Sequence, residues 1–237
     1  MKAVRRVARL REGERVWLFD LDNTLHNASA SAFRGINERM GAYMTRELGL
    51  EAGEAHRLRQ LYWQRYGATL LGLVRHHGVN AGHFLQDTHV LPGLEQQLQT
   101  HAHDVAALQR LRGPRLVLTN APLAYAERVL GALGLRGLFD GVIAIEQMAM
   151  FGQLRPKPDT RMLQALVARL GVPAHRCVLV EDTLAHQKAA HSLGMRTVWM
   201  QRWLRAAHTP PEPKNWRRRP PYVYARIRSL QQLRSVL

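Results

Sequence analysis

Val16-Trp17-Leu18-Phe19-Asp20-Leu21-Asp22-Asn23-Thr24 is the stretch on which the reading of this chain turns. Four apolar residues run straight into two aspartates two positions apart, and a threonine follows. Side chains alternate from face to face along a strand, so Asp20 and Asp22 are expected to project the same way. A continuous apolar run marks a parallel strand buried on both faces. Open parallel sheets bind ligands at the carboxyl ends of their strands, where these carboxylates fall. Neighbouring carboxylates repel, and burying them is costly unless they serve chemistry or a cation. One can be a nucleophile, the other an acid, and a divalent cation can hold the pair. A solvated turn is the plain alternative, because Asp and Asn are ordinary turn residues.

Outward from this stretch the chain alternates. Strand-like apolar runs recur at Val16–Phe19, Arg115–Leu118, 141–145, 176–180, Arg196–Met200 and 222–227. Helix-like segments lie between them at 123–133, Thr160–Leu170 and 183–193, and a terminal helix is expected at 229–237. Gly171 and Gly194 stand just past two of these segments, where helices end. Strands alternating with helices argue for an α/β protein with a parallel sheet covered on both faces. Roughly 90 residues separate the first two strands, far more than a plain crossover needs. Phe33, Ile36, Met40, Tyr43 and Met44 share one helical face, and Leu58, Leu61, Tyr62, Tyr66, Leu70 and Leu71 continue with similar spacing. The span 27–111 is therefore expected to form a helical cap domain over the carboxyl edge of the sheet, with 1–26 and 112–237 as the core. Such a cap would exclude water and select substrate.

Three further sites follow predicted strands. Thr119 and Asn120 offer a hydroxyl and an amide for phosphate oxygens, or form an ordinary strand end. Lys157 stands between Pro156 and Pro158 before a helix, a compact cation suited to a phosphoryl oxygen. Glu181 and Asp182 after a Val-Leu-Val run suggest a magnesium site, although Asp182 or Thr183 would also serve as a helix cap.

In this order these motifs resemble the haloacid dehalogenase superfamily of phosphohydrolases, over nearly the whole chain. The resemblance implies a Rossmann-like core, a helical cap after the first strand, and magnesium-dependent chemistry through an aspartyl-phosphate. By that resemblance Asp20 is the nucleophile, and Asp22 is the general acid that later activates water. Thr119 binds the transferring phosphoryl group and Lys157 neutralises charge on it. Asp20, Asp182 and the backbone carbonyl of Asp22 hold Mg2+, with Glu181 supporting or sharing that role. Phe19-Asp20-Leu21-Asp22-Asn23-Thr24-Leu25-His26, Tyr66-Gly67-Ala68-Thr69-Leu70, Arg155-Pro156-Lys157-Pro158 and Glu181-Asp182-Thr183-Leu184 are similar to the pyrimidine 5′-nucleotidase branch. That points to a nucleoside monophosphate. Tyr66 would then stack on the base, or else belong to the cap core. One departure is His186, where relatives carry Asn or Asp; four residues past Asp182, it faces the metal's surroundings or solvent.

Composition bounds the rest. The chain has 237 residues and is 46% hydrophobic, enough for one large domain or a domain with an insert. No run of about 18 apolar residues occurs, so no membrane span is expected. A secretory signal is not recognisable, and Cys177 is the single cysteine. Both favour a cytoplasmic setting, with Cys177 as buried packing. The net charge is +16, and residues 202–237 hold nine Lys or Arg against one Glu. Arg217-Arg218-Arg219 reads as an exposed irregular segment, and residues 1–14 as an extension without structure. Lysine occurs only at positions 2, 157, 188 and 214, so the excess is an arginine bias that codon usage would also produce. The expected partner is a small phosphorylated substrate, a nucleotide above a sugar phosphate. A basic nucleic-acid-binding protein is the rival from another class.

Overall fold

The computed structural model describes residues 10–99, 101–204 and 218–236. Its strands are β1 (Val16–Phe19), β2 (Arg115–Leu118), β3 (Gly141–Ile143), β4 (Ala149–Met150), β5 (Gln153–Leu154), β6 (Cys177–Glu181), β7 (Arg196–Met200) and β8 (Ala225–Ile227). Six form one parallel sheet in the order β3-β2-β1-β6-β7-β8, and β4 and β5 make a separate antiparallel hairpin. Helices α1 (Ala28–Ser31), α2 (Phe33–Leu48), α3 (Ala52–Tyr66), α4 (Thr69–His77), α5 (Ala81–Thr88), α6 (Leu94–Gln97) and α7 (Ala102–Arg110) fill the long span between β1 and β2. The other helices are α8 (Leu123–Ala132), α9 (Thr160–Leu170), α10 (Leu184–Ser192) and α11 (Leu233–Val236).

β1 takes the centre because all four of its residues are apolar and can be buried on both faces. Its alternation sorts them into two layers. Trp17 and Phe19 join Val117, Val178 and Val180 on one face, covered by Tyr125, Val129 and Leu130 of α8. Val16 and Leu18 join Leu116, Leu118 and Leu179 on the other, covered by Met162, Leu163 and Leu166 of α9. Cys177 lies in this second layer, and burial pushes its thiol up to about 11, as suits packing rather than chemistry. The sheet order reverses direction at β1, so the crevice beside its carboxyl end is a topological switch point.

A third apolar cluster is built inside the long span. Tyr43 and Met44 of α2, Tyr62 of α3, Leu70 and Leu73 of α4 and Phe84 of α5 enclose Ile145, which arrives from the end of β3. Helices α6 and α7 also lie within the 27–111 span, yet Leu94, Ala107 and Leu108 pack with the sheet.

Several elements differ from the sequence reading. The run at 141–145 keeps sheet pairing only to Ile143, because Ile145 leaves the sheet for the helical cluster. The helical run through Tyr66 and Leu71 breaks at Gly67, which adopts φ 78° and closes α3. Leu61, expected on the apolar face, is exposed. The last strand begins at Ala225 rather than 222, because the Val223 amide donates to Pro220 in a turn. The expected terminal helix opens as a 3-10 turn at Leu230–Gln232 before α11. Residues 11 and 14 are anchored: the Arg176 guanidinium donates to the carbonyls of Arg11 and Glu14. Residues 1–9 and Arg217 lie outside the described residues, while Arg218 and Arg219 are exposed. No helix among the described residues is long and apolar enough to cross a membrane.

Candidate active site

The site grows from the end of β1. The Asp20 amide donates to the Val180 carbonyl at 2.9 Å, one rung beyond the strand. The chain then reverses. Asn23 takes φ 57°, a left-handed conformation that Asn tolerates better than most residues. Its side chain accepts from the Ser29 amide at 3.0 Å and donates to the Ser29 hydroxyl at 2.8 Å, which fixes the turn.

Asp20 is 6% exposed and both its oxygens are engaged. Oδ2 accepts from the Thr24 hydroxyl at 3.2 Å, and Oδ1 accepts from Lys157 Nζ at 2.7 Å. Lys157 is 1% exposed, and its Nζ also donates to Glu181 Oε2 at 2.7 Å. Its backbone is held by Asn120: the Lys157 amide donates to Oδ1 and the Asn120 amide nitrogen donates to the Lys157 carbonyl, both at 2.9 Å. The next peptide, Lys157–Pro158, is cis. Asp159 then caps α9 by accepting from the amides of Arg161 and Met162.

Thr119 is buried at the end of β2, where its hydroxyl accepts from the Ala121 amide at 3.0 Å. At the end of β6 the Gln187 amide donates to the Glu181 carbonyl and the Trp199 indole donates to the Asp182 carbonyl. Asp182 Oδ1 accepts from the Thr183 hydroxyl at 3.0 Å. His186 Nδ1 lies 3.0 Å from Glu181 Oε2, close enough for an ion pair yet outside hydrogen-bonding alignment.

One lysine thus faces several carboxylates in a buried site. Burial and the charges of Glu181 and Asp22 push Asp20 up to about 7, against the pull of Lys157. Burial, Glu181 and Asp20 hold Asp182 well above its ordinary value. Burial works against the charge on Glu181, but Lys157 and His186 outweigh it and hold that carboxyl low. Burial likewise opposes the charge on Lys157, but Asp20 and Glu181 outweigh it and hold the ammonium above its ordinary range. Carboxylate oxygens of Asp20, Glu181 and Asp182 lie within 4.8 Å of one another. Hard oxygen donors under mutual repulsion are a set that a hard divalent cation fits.

The structure therefore brings Asp20, Lys157, Glu181 and Asp182 together, with Thr119 at the adjacent strand end. Asn120 has both its amide atoms committed to the Lys157 backbone rather than to an open pocket. The Asp22 carboxylate is engaged outside the acidic cluster, where its Oδ1 accepts from the Tyr125 hydroxyl at 2.8 Å and meets His26 Nε2 at 2.9 Å. Tyr66 stands apart. Its ring packs against Tyr62 and His76, and its hydroxyl meets His76 Nε2 at 2.6 Å. The turn that follows it does reach the site: a Cβ on Gly67 would lie 3.3 Å from Pro158 Cδ.

Sequence reasoning assigned no role to Thr24, His26, Tyr125 or His89. His26 carried a local signal, standing four residues past Asp22. Tyr125 carried none, being 103 residues away in the chain. His89, just past α5, packs edge-on to Tyr125 at 5.6 Å, and burial pushes its imidazole down to about 4.

Comparison with known proteins agrees with this fold. Residues 15–194 match the haloacid dehalogenase-like hydrolase family. Phosphate metabolism protein 8 of Saccharomyces cerevisiae is 25% identical over 194 residues, 76% of this chain and 60% of the yeast protein. Fructose-1-phosphate phosphatase YqaB of Escherichia coli is 38% identical over 95 residues, 40% of this chain and 48% of that protein. The chain thus spans between 48% and 60% of the length of these curated relatives. Among solved structures, a HAD phosphatase from Thermococcus onnurineus superposes with a TM-score of 0.60 at 21% identity, covering 94% of this chain and 97% of that one. CbbY from Rhodobacter sphaeroides, in complex with phosphate, gives 0.60 at 19% identity, covering 93% and 96%. These likenesses establish the shared fold. The match across residues 15–194 identifies the chain as a member of the haloacid dehalogenase-like hydrolase family.

Proposed function

We propose that the protein hydrolyses small phosphate monoesters through an aspartyl-phosphate on Asp20, with Mg2+ as cofactor. The observation that carries this reading is Lys157 Nζ, 2.7 Å from both Asp20 and Glu181 at the meeting of three strand ends. Asp20 attacks phosphorus and the ester bond breaks. Asp22 gives its proton to the leaving oxygen, then takes one from the water that cleaves the acyl phosphate. Lys157 offsets charge on the phosphoryl oxygens, and Thr119 offers its hydroxyl to one of them. Asp20, Asp182 and the Asp22 carbonyl would hold Mg2+, with Glu181 supporting or sharing that role, and the ion would supply further charge neutralisation.

For the substrate we favour a nucleoside 5′-monophosphate, a pyrimidine one. The support is the Tyr66–Leu70 stretch, whose Gly67 turn stands against Pro158, one residue from Lys157. In this reading the span between β1 and β2 caps the site. The E. coli relative named for fructose 1-phosphate supports a second reading, a sugar phosphate.

The test is phosphate release with Mg2+ from UMP, CMP and a panel of sugar phosphates, with Asp20→Asn as control. Release should vanish with Asp20→Asn and with chelator. Preference for UMP or CMP supports the nucleotide reading, and preference for fructose 1-phosphate moves the substrate to the sugar class. A folded protein that releases phosphate from none of them would sink the hydrolase proposal.

A further inference from the structure

Asp22 is held by two side chains that the chemistry above does not use. The Tyr125 hydroxyl, from the first turn of α8, donates to Asp22 Oδ1 at 2.8 Å. His26 Nε2 reaches the same oxygen at 2.9 Å, and a backbone bridge also joins Asp22 and His26. Both rings are 1% exposed. A carboxylate oxygen accepts, so Nε2 donates to it. Among the described residues, the buried His26 Nδ1 has no hydrogen-bond partner. A histidine kept only for packing would be poorly served by a buried, unpaired nitrogen. Among the described residues, the contact with Asp22 is the one hydrogen bond of this ring.

We propose that Tyr125 and His26 are positioning residues that fix Asp22 and confine its transferable proton to Oδ2. The proposal rests on the reading of Asp22 as general acid. In a carboxylic acid one oxygen bears hydrogen and the other accepts. Two donors converging on Oδ1 stabilise it as the acceptor in both protonation states, which leaves the proton to Oδ2. During transfer an Asp20 oxygen forms its bond to phosphorus and the phosphorus–ester oxygen bond breaks. The electron pair goes to the ester oxygen, which takes the proton from Oδ2. Asp22 is left as a carboxylate whose charge Tyr125 and His26 stabilise. The same oxygen then accepts a proton from water, so one fixed geometry serves both half-reactions. Burial and the Asp22 charge raise the Tyr125 phenol well above its ordinary value, so its hydrogen stays in place.

The experiment measures kcat/KM with Mg2+ for p-nitrophenyl, phenyl and benzyl phosphate. The nitrophenolate departs without a proton, whereas the benzyl alkoxide needs one. The proteins are wild type, Asp22→Asn, Tyr125→Phe, His26→Leu and His26→Gln, each checked for folding by thermal melting. Tyr125→Phe and His26→Leu should lose about 10–100-fold on benzyl phosphate and less than about threefold on p-nitrophenyl phosphate. His26→Gln, which keeps an N–H donor, should recover part of the benzyl loss. Equal losses on all three esters would overturn the proposal, provided Asp22→Asn itself discriminates among them. If Asp22→Asn does not discriminate, the general-acid reading fails first and the proposal falls with it. Should His26→Leu fail to fold, Tyr125→Phe decides alone.

Discussion

Lys157 is a buried cation that survives because its neighbours are anions. Removing an ammonium from water is expensive unless it is paired and hydrogen-bonded, and here two carboxylates meet it at 2.7 Å. Its aim depends on Asn120, which grips the backbone on both sides of the residue. Asn120→Ala should leave a buried amide and carbonyl unpaired, costing about 1–3 kcal/mol of stability by denaturant unfolding. It should also lower kcat by up to about 100-fold, because small misplacements of a charge at a reacting centre are expensive. Unchanged kcat would show that Pro156 and Pro158 aim the lysine unaided. The lysine itself was legible, since prolines on both sides mark a rigid loop. The work of Asn120 was not, because a Thr-Asn strand end reads the same whether the amide meets a ligand or a backbone 37 residues away.

At the scale of elements, legibility followed length. Helix α9 showed its span and its Gly171 stop in sequence, and both are present. The two-residue strands β4 and β5 are too short for any periodicity. Their turn, Phe151-Gly152, carries none of the usual Asn-Gly signal, yet both residues have positive φ, 50° and 75°. Phe151 is 100% exposed, so packing does not offset its strained backbone. Phe151→Asn should therefore stabilise the fold by about 1 kcal/mol, seen as a raised melting temperature. A lowered one would mean that the phenyl ring makes contacts in solution that offset the strain. The α3–α4 corner escaped notice for another reason. A Cβ on Gly72 would stand 2.1 Å from Tyr62 Cγ, so that glycine lets the two helices meet. A glycine inside an apolar run does not announce a close crossing.

At the scale of the molecule, the parallel α/β sheet was readable because six apolar runs alternate with helices, and each chemical motif follows one of the runs. What sequence could not supply was the fastening between distant segments. Asp104 of α7 accepts from both terminal nitrogens of Arg202, from the Ser229 hydroxyl and from the Leu230 amide. Burial alone would raise its pKa, but the Arg202 guanidinium and the Leu230 amide hold the carboxyl below the usual 3.8. A depressed carboxyl contributes stability that is complete above its unfolded value and lost as pH falls through the folded one. Asp104→Asn should therefore cost about 1–3 kcal/mol near neutral pH. The difference from wild type should shrink below pH 3.8, as urea melts across that range would show. A gap independent of pH would assign the effect to packing instead. The long span between β1 and β2 has a consequence of a different kind. The chain leaves the sheet after Asp22 and returns before Thr119, and the residues at the acidic cluster and Lys157 all lie outside that excursion. Natural variation can therefore rewrite α3, α4 and α5, whose buried residues pack in their own cluster, with less disturbance to the sheet than a change in α6 or α7 would bring. Under the proposed function, such an arrangement separates what is admitted to the site from what is done there.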